Sequence, residues 1–120
     1  MSETKSILKE KSFTFSIHII KLFQYLQETK KEYVLSKQLL RSGTAIGARV
    51  REAQNAESKK DFIHKLGISQ KECDESIYWL ELLKETEFLN QEEFETINNK
   101  AIELLKMLRS AIITSKKNNS

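Results

Sequence analysis

The sequence has no proline, three glycines and one cysteine in 120 residues. The residues that most often break helices and shape tight turns are nearly missing, so the expected build is long helices joined by a few polar links. A lone cysteine, Cys73, cannot build a disulfide framework. Long apolar runs are also missing: the longest, Ile77-Tyr78-Trp79-Leu80, falls far short of the roughly 20 residues a bilayer-spanning helix needs. The opening MSETKSILKEKS lacks the apolar stretch of a signal peptide. A soluble, cytoplasmic protein with no membrane partner is the expectation. Charge is nearly balanced, with 20 Lys and Arg against 17 Asp and Glu, and 39% of residues are hydrophobic, too many for general disorder. A chain of this size buries roughly 65% of its unfolded surface, enough for one core. One domain over residues 1–120 is expected, with flexible ends at about 1–10 and 115–120.

Three polar links stand out, at residues 28–32, 54–58 and 85–90, and they leave four segments long enough to be helices. Ser58-Lys59-Lys60-Asp61 and Asn90-Gln91-Glu92-Glu93 read as capping boxes opening the third and fourth. In the first segment Phe13, Phe15, Ile17 and Ile19 alternate with other residues as a strand would. Helix is favoured there, because a lone strand has no partner in the chain and Phe15, Ile19, Leu22, Phe23 and Leu26 share one helical face.

At 100° per residue the second segment turns Leu35, Leu39, Ile46, Val50 and Ala53 to one side, with Ser42 and Gly43 beside them. The third offers Phe62, Leu66, Ser69, Cys73, Ile77 and Leu80; the fourth offers Phe94, Ile97, Ala101, Leu104, Leu105, Leu108 and Ile112. Four such stripes on short links predict an all-α, antiparallel up-down-up-down four-helix bundle. The run Ser42-Gly43-Thr44-Ala45-Ile46-Gly47-Ala48 weakens helix propensity by about 1 kcal/mol per glycine, which close packing of a neighbouring backbone would offset.

Two segments carry more apolar surface than one core needs. Phe13, Ile17 and Ile20 lie more than roughly 100° from the main stripe of the first, and Ile68, Trp79 and Leu82, with Tyr78 nearby, lie opposite the core side of the third. Such clusters mark interfaces, and Trp and Tyr often carry the binding energy there. The other reading is a wide or curved bundle that buries them internally.

Motifs for chemistry are sparse. No Glu-x-x-His occurs, and His18 and His64 have no Cys or His at ligand spacing, so neither a metal nor another cofactor is expected. Glu72 and Asp74 flank Cys73, an environment that raises a thiol pKa, and a structural role suits it. Glu72, Asp74, Glu75 and Glu81 have no accompanying nucleophile or oxyanion site; ion pairing with Lys or Arg is their expected role. No phosphate-binding glycine loop or nucleophile elbow is present, and neither an enzyme nor a small-molecule substrate is expected.

The remaining signal is where the charge sits. Residues 31–60 hold seven basic and three acidic residues, whereas 61–90 hold three basic and seven acidic. Lys37, Arg41 and Arg51, with Thr44 and Ala48, share the side of the second helix away from the core, and Lys59 and Lys60 extend the run, with Lys116 and Lys117 at the C-terminus. That stripe could follow a phosphate backbone, be a solvated face, or meet the acidic third helix of a neighbouring copy.

The runs Leu35–Ala48, Arg51-Glu52-Ala53, Ser58–Ile63 and Gln70–Leu83 resemble the bacterial four-helix-bundle family named for proteins encoded in intervening sequences of 23S ribosomal RNA genes. The resemblance covers nearly the whole chain. It implies an antiparallel bundle assembled as a homopentameric ring. A related branch, the accessory variability protein of diversity-generating retroelements, is a basic pentamer that works with a reverse transcriptase and binds nucleic acid. Arg49 departs from the family pattern, which usually has Asn there, and adds positive charge. The resulting expectation is a non-enzymatic homo-oligomeric scaffold. Its interface would use Phe13, Ile17, Ile20, Ile68, Tyr78, Trp79 and Leu82, and RNA or DNA would meet Lys37, Arg41, Arg49, Arg51, Lys59 and Lys60. The alternative is an adaptor that recruits one protein partner without nucleic acid.

Overall fold

A computed structural model describes the backbone of residues 2–118 and the side chains of residues 7–118. Four helices follow one another: α1 (Ser2–Glu28), α2 (Leu35–Gln54), α3 (Lys59–Glu85) and α4 (Gln91–Lys117). Each packs against its neighbours in sequence, and α1 also meets α4, which closes an antiparallel bundle 51 Å long and about 20 Å across. The alternating segment is helix throughout, with Phe15 and Ile19 buried and Phe13, Ile17 and Ile20 exposed. The ends expected to be flexible are mostly helical: α1 starts at Ser2 and buries Leu8, while α4 runs to Lys117 and buries Ser115. Residues 1, 119 and 120 lie outside the described part.

Local chemistry explains the helix starts. At α4 the Glu93 N–H donates to Asn90 Oδ1 (2.8 Å) and the Asn90 N–H to Glu93 Oε1 (2.9 Å), a complete capping box. Only half of the box expected at α3 forms. Ser58 Oγ accepts the Asp61 N–H at 3.0 Å, but the Asp61 carboxylate turns to the Glu57 N–H. Helix α2 has no side-chain cap at Val34. Glu32, buried in the preceding link, takes over, its carboxylate accepting the N–H groups of Val34, Leu35 and Ser36 at 2.7 to 3.1 Å. Burial pushes the Glu32 pKa up, but those backbone donors outweigh it and hold the group below the usual carboxylate range.

The links turn without glycine. Lys31 (φ 58°) and Glu87 (φ 68°) adopt the left-handed conformation, whereas all three glycines sit inside helices. Two of those glycines are where α1 meets α2. A Cβ on Gly43 would lie 2.8 Å from Ile19 Cγ1, and one on Gly47 would lie 3.2 Å from the Ser12 carbonyl oxygen. The α2–α3 seam is lined by serines: Ser69 Oγ donates to the Ile46 carbonyl and Ser76 Oγ to Ser42 Oγ, both at 2.9 Å. Between α3 and α4 the Cys73 thiol reaches the Ala101 carbonyl at 3.2 Å. The core between these seams holds Phe15, Ile19, Leu26, Leu39, Ile46, Leu66, Leu80, Leu83, Leu104 and Leu108, all but fully buried. Each such side chain contributes about 1.5 to 3 kcal/mol. Phe23, expected with the core of α1, is only half-buried.

Candidate interaction surfaces

Phe13, Ile17 and Ile20 stand on the outer side of α1 at 51%, 39% and 41% exposure. Phe13 and Ile20 border a shallow groove against α2, whose wall is Thr44, Gly47, Ala48 and Arg51. The Arg51 guanidinium lies 5.2 Å from the Phe13 ring centroid, a cation–π contact that ties a residue expected on the basic stripe to one expected at an interface.

The apolar cluster expected on α3 divides. Tyr78 is exposed and stands edge-on to Trp79 at 5.0 Å between centroids, while Ile68, Trp79 and Leu82 are half-buried. Trp79 packs against the core and its indole N–H donates to Glu75 Oε2 at 3.0 Å. Arg41 reaches the same carboxylate at 2.8 Å and Glu72 at 3.5 Å. The indole N–H is the main influence holding Glu75 below the ordinary carboxylate range; burial opposes it and Arg41 adds to it. Glu72 and Glu75 of α3 therefore find their cation within the same chain.

This pairing changes the character of the basic stripe. Arg49, in the place of the usual Asn, gives an Nη to Glu52 at 2.8 Å and leaves its Nε buried without an acceptor. Lys65 reaches Glu52 from the other side at 3.5 Å. Lys59 Nζ caps the end of α4 through the Asn118 carbonyl at 2.6 Å. Lys37 and Lys60 are exposed and, among the described residues, unpaired. A further stripe is not among those expected. On the outer side of α4, Ile102, Lys106, Arg109, Ile113 and Lys116 follow at spacings of three and four, the signal of a single helix face. Ile113 is 54% exposed and the three cations have no ion-pair partner among the described residues.

Between α1 and α4 the bundle is open. Two adjoining cavities, about 240 and 500 Å³, run along this seam. They share His18 and Lys100, and their apolar floor includes Phe15, Leu22, Tyr25, Ile97 and Leu104. Burial, then Lys100 and Lys21, lower the His18 pKa, so the ring is neutral at pH 7, and its Nδ1 is buried without a partner. Tyr25 closes one end through its hydroxyl, which donates to Glu93 Oε2 at 2.7 Å, and Lys11 pairs with Glu103 at 3.2 Å near the other. Among the described residues no group of three or more His, Cys, Asp and Glu is placed to hold a metal ion, and no helix is long and apolar enough to cross a membrane. Burial, with Asp74 adding, pushes the Cys73 thiol up to about 12, far from a nucleophile.

A family model described as 23S rRNA-intervening sequence protein matches residues 4–110. The chain belongs to that family. A crystal structure at 1.70 Å of a protein from Bacteroides thetaiotaomicron VPI-5482, described as of unknown function and from the S23 ribosomal protein family, superposes with a TM-score of 0.90. It is 48% identical, and the match covers 92% of this chain and 98% of the other. The comparison with curated proteins gives no match. The intervening-sequence fold is thus shared along nearly the whole length, including the helices that form these seams and surfaces.

Proposed function

We propose that this chain is a non-enzymatic scaffold that assembles with copies of itself through the outer face of α1, in the ring of five that the family resemblance implies. The observation that carries this reading is the row Phe13, Ile17 and Ile20, exposed together on one side of a helix whose opposite side is locked into the core. Light scattering on nuclease-treated protein in moderate salt tests it. The expected mass is near five chains, falling when Phe13 and Ile17 are both replaced by Ser. A monomeric wild type would overturn the assembly and bring forward the adaptor that binds a different protein without nucleic acid.

Charge distribution favours nucleic acid as the scaffold's ligand. In the half of the bundle formed by residues 7–15, 46–70 and 104–118 there are eleven basic and four acidic residues, net +7. The other half, residues 16–45 and 71–103, has eight basic and twelve acidic, net −4. The antiparallel topology produces this polarity, because it brings together stretches far apart in sequence. A ring of parallel copies would repeat the basic end around one rim, where Lys60, Lys106, Arg109 and Lys116 are unpaired among the described residues. Replacing Lys106 and Lys116 by Ala is expected to weaken binding of duplex RNA and to reduce the log–log salt slope by about 0.9 for each phosphate no longer neutralised. An unchanged slope would remove these residues from the reading.

A further inference from the structure

We infer that the open α1–α4 seam is a binding site for a small amphipathic carboxylate, its head held by Lys21, Lys100 and His18 and its apolar body laid along Leu22, Tyr25 and Ile97. The site does not depend on the assembly or the nucleic-acid reading proposed above, which use the outer side of α1 and the basic end of the bundle.

The seam has the room and the lining. Its two cavities adjoin at His18 and Lys100 and, at about 240 and 500 Å³, together match the size of small-molecule sites. His18, Lys21, Leu22 and Tyr25 share one face of α1, as Thr96, Ile97 and Lys100 do on α4, so the wall of the larger cavity is built from two helix faces. That wall is mostly apolar. The Tyr25–Glu93 hydrogen bond closes one end and the Lys11–Glu103 ion pair the other.

The polar groups converge where the cavities meet. Lys21 and Lys100 have no ion-pair partner among the described residues, and both ammoniums act on the His18 ring. The Nδ1 of that ring is buried with no hydrogen-bond partner, an arrangement that folded proteins avoid unless something else supplies one. A carboxylate does so: with its proton on Nδ1 the neutral ring donates to one oxygen, and the ammoniums meet the negative charge.

The acids along the seam leave these cations available and limit the ligand's charge. Glu93 accepts the Tyr25 hydroxyl and the Asn90 N–H, and Glu103 is paired with Lys11. Glu10 and Glu92 lie eight residues along their helices from His18 and Lys100. That is roughly 12 Å at 1.5 Å per residue, beyond the screening length of about 8 Å at physiological ionic strength. A dianionic phosphate head would be repelled by acids at both ends, whereas a neutral head would leave two ammoniums unmatched. A single carboxylate with an apolar chain fits both the head and the wall.

Calorimetric titration of the full chain with sodium decanoate tests the site. Saturable binding of one decanoate per chain is expected, tightening about three- to fourfold for each CH2 added from hexanoate upward. Decan-1-ol and decyl phosphate should bind about tenfold more weakly or worse. Lys21→Ala and Lys100→Ala, both at exposed positions, should each weaken decanoate by about tenfold and leave the helical circular dichroism unchanged; Lys37→Ala, on α2, should not alter binding. A second measurement uses the unaltered protein, whose two histidines can be followed separately by NMR. His18 is faced by Lys21 on its own helix and by Lys100 and Glu103 on α4. Its pKa, lowered in the free protein, should rise when decanoate is bound, while that of exposed His64 stays where it is. No saturable binding, decan-1-ol as tight as decanoate, an unmoved His18, or a Lys100→Ala variant that binds like the wild type overturns the site. Decyl phosphate tighter than decanoate overturns the singly charged head.

Discussion

The α1–α2–α3 side of the bundle and the α1–α4 side are built from the same kind of helix, yet one is shut and the other open. Gly43, Gly47, Ser42, Ser69 and Ser76 let backbones approach and place hydroxyls on facing acceptors. Lys21, Leu22, Tyr25 and Lys100, all longer side chains, line the other seam. Helix spacing follows the size of the residues at the contact. A seam of small residues is committed to its own chain, while a seam of long ones leaves surface free.

Substitutions should separate the two sides by size of effect. Gly43→Ala places a methyl group against the stem of buried Ile19 and is expected to cost about 1 to 3 kcal/mol in urea unfolding. A cost below about 0.5 kcal/mol would mean that α1 and α2 are not closed against each other. Glu32→Gln, at the link joining those two helices, should cost about 1 to 2 kcal/mol at neutral pH. Because the folded pKa of Glu32 is depressed, its contribution is present above the ordinary carboxylate value and disappears as pH falls through the folded one; the variant and wild type should converge there. Gly67→Ala, where nothing lies within 4 Å of the added carbon, should instead gain about 0.5 to 1 kcal/mol from helix propensity. On the open side Lys21→Ala should change stability by less than about 0.5 kcal/mol. A large destabilisation there would show that the seam is structural.

Much of the bundle was legible because its signals are local. The three links, the Asn90–Glu93 box and the stripes of α2 and α4 are each written within a turn or two of helix, and the structure places them within a few residues of expectation. The cap of α2 was not, because the donors are taken by Glu32, a residue in the link and not the one next to the helix. Nor did the pattern separate Trp79 from Tyr78: neighbours in sequence, one faces the α2–α3 seam and the other solvent. The basic stripe on α2 was visible, but not that Arg41 and Arg49 are occupied by Glu75 and Glu52.

The sequence by itself determined four helices, the links between them and the main inward stripe of each, since periodicity and capping act between residues three or four apart. Tertiary structure alone decided which exposed charges are already paired, which seams close, and that one end of the bundle is basic. Those depend on the rotation and height of one helix against another. That relation is set by packing between residues tens of positions apart, Ser76 on Ser42 and Tyr25 on Glu93 among them.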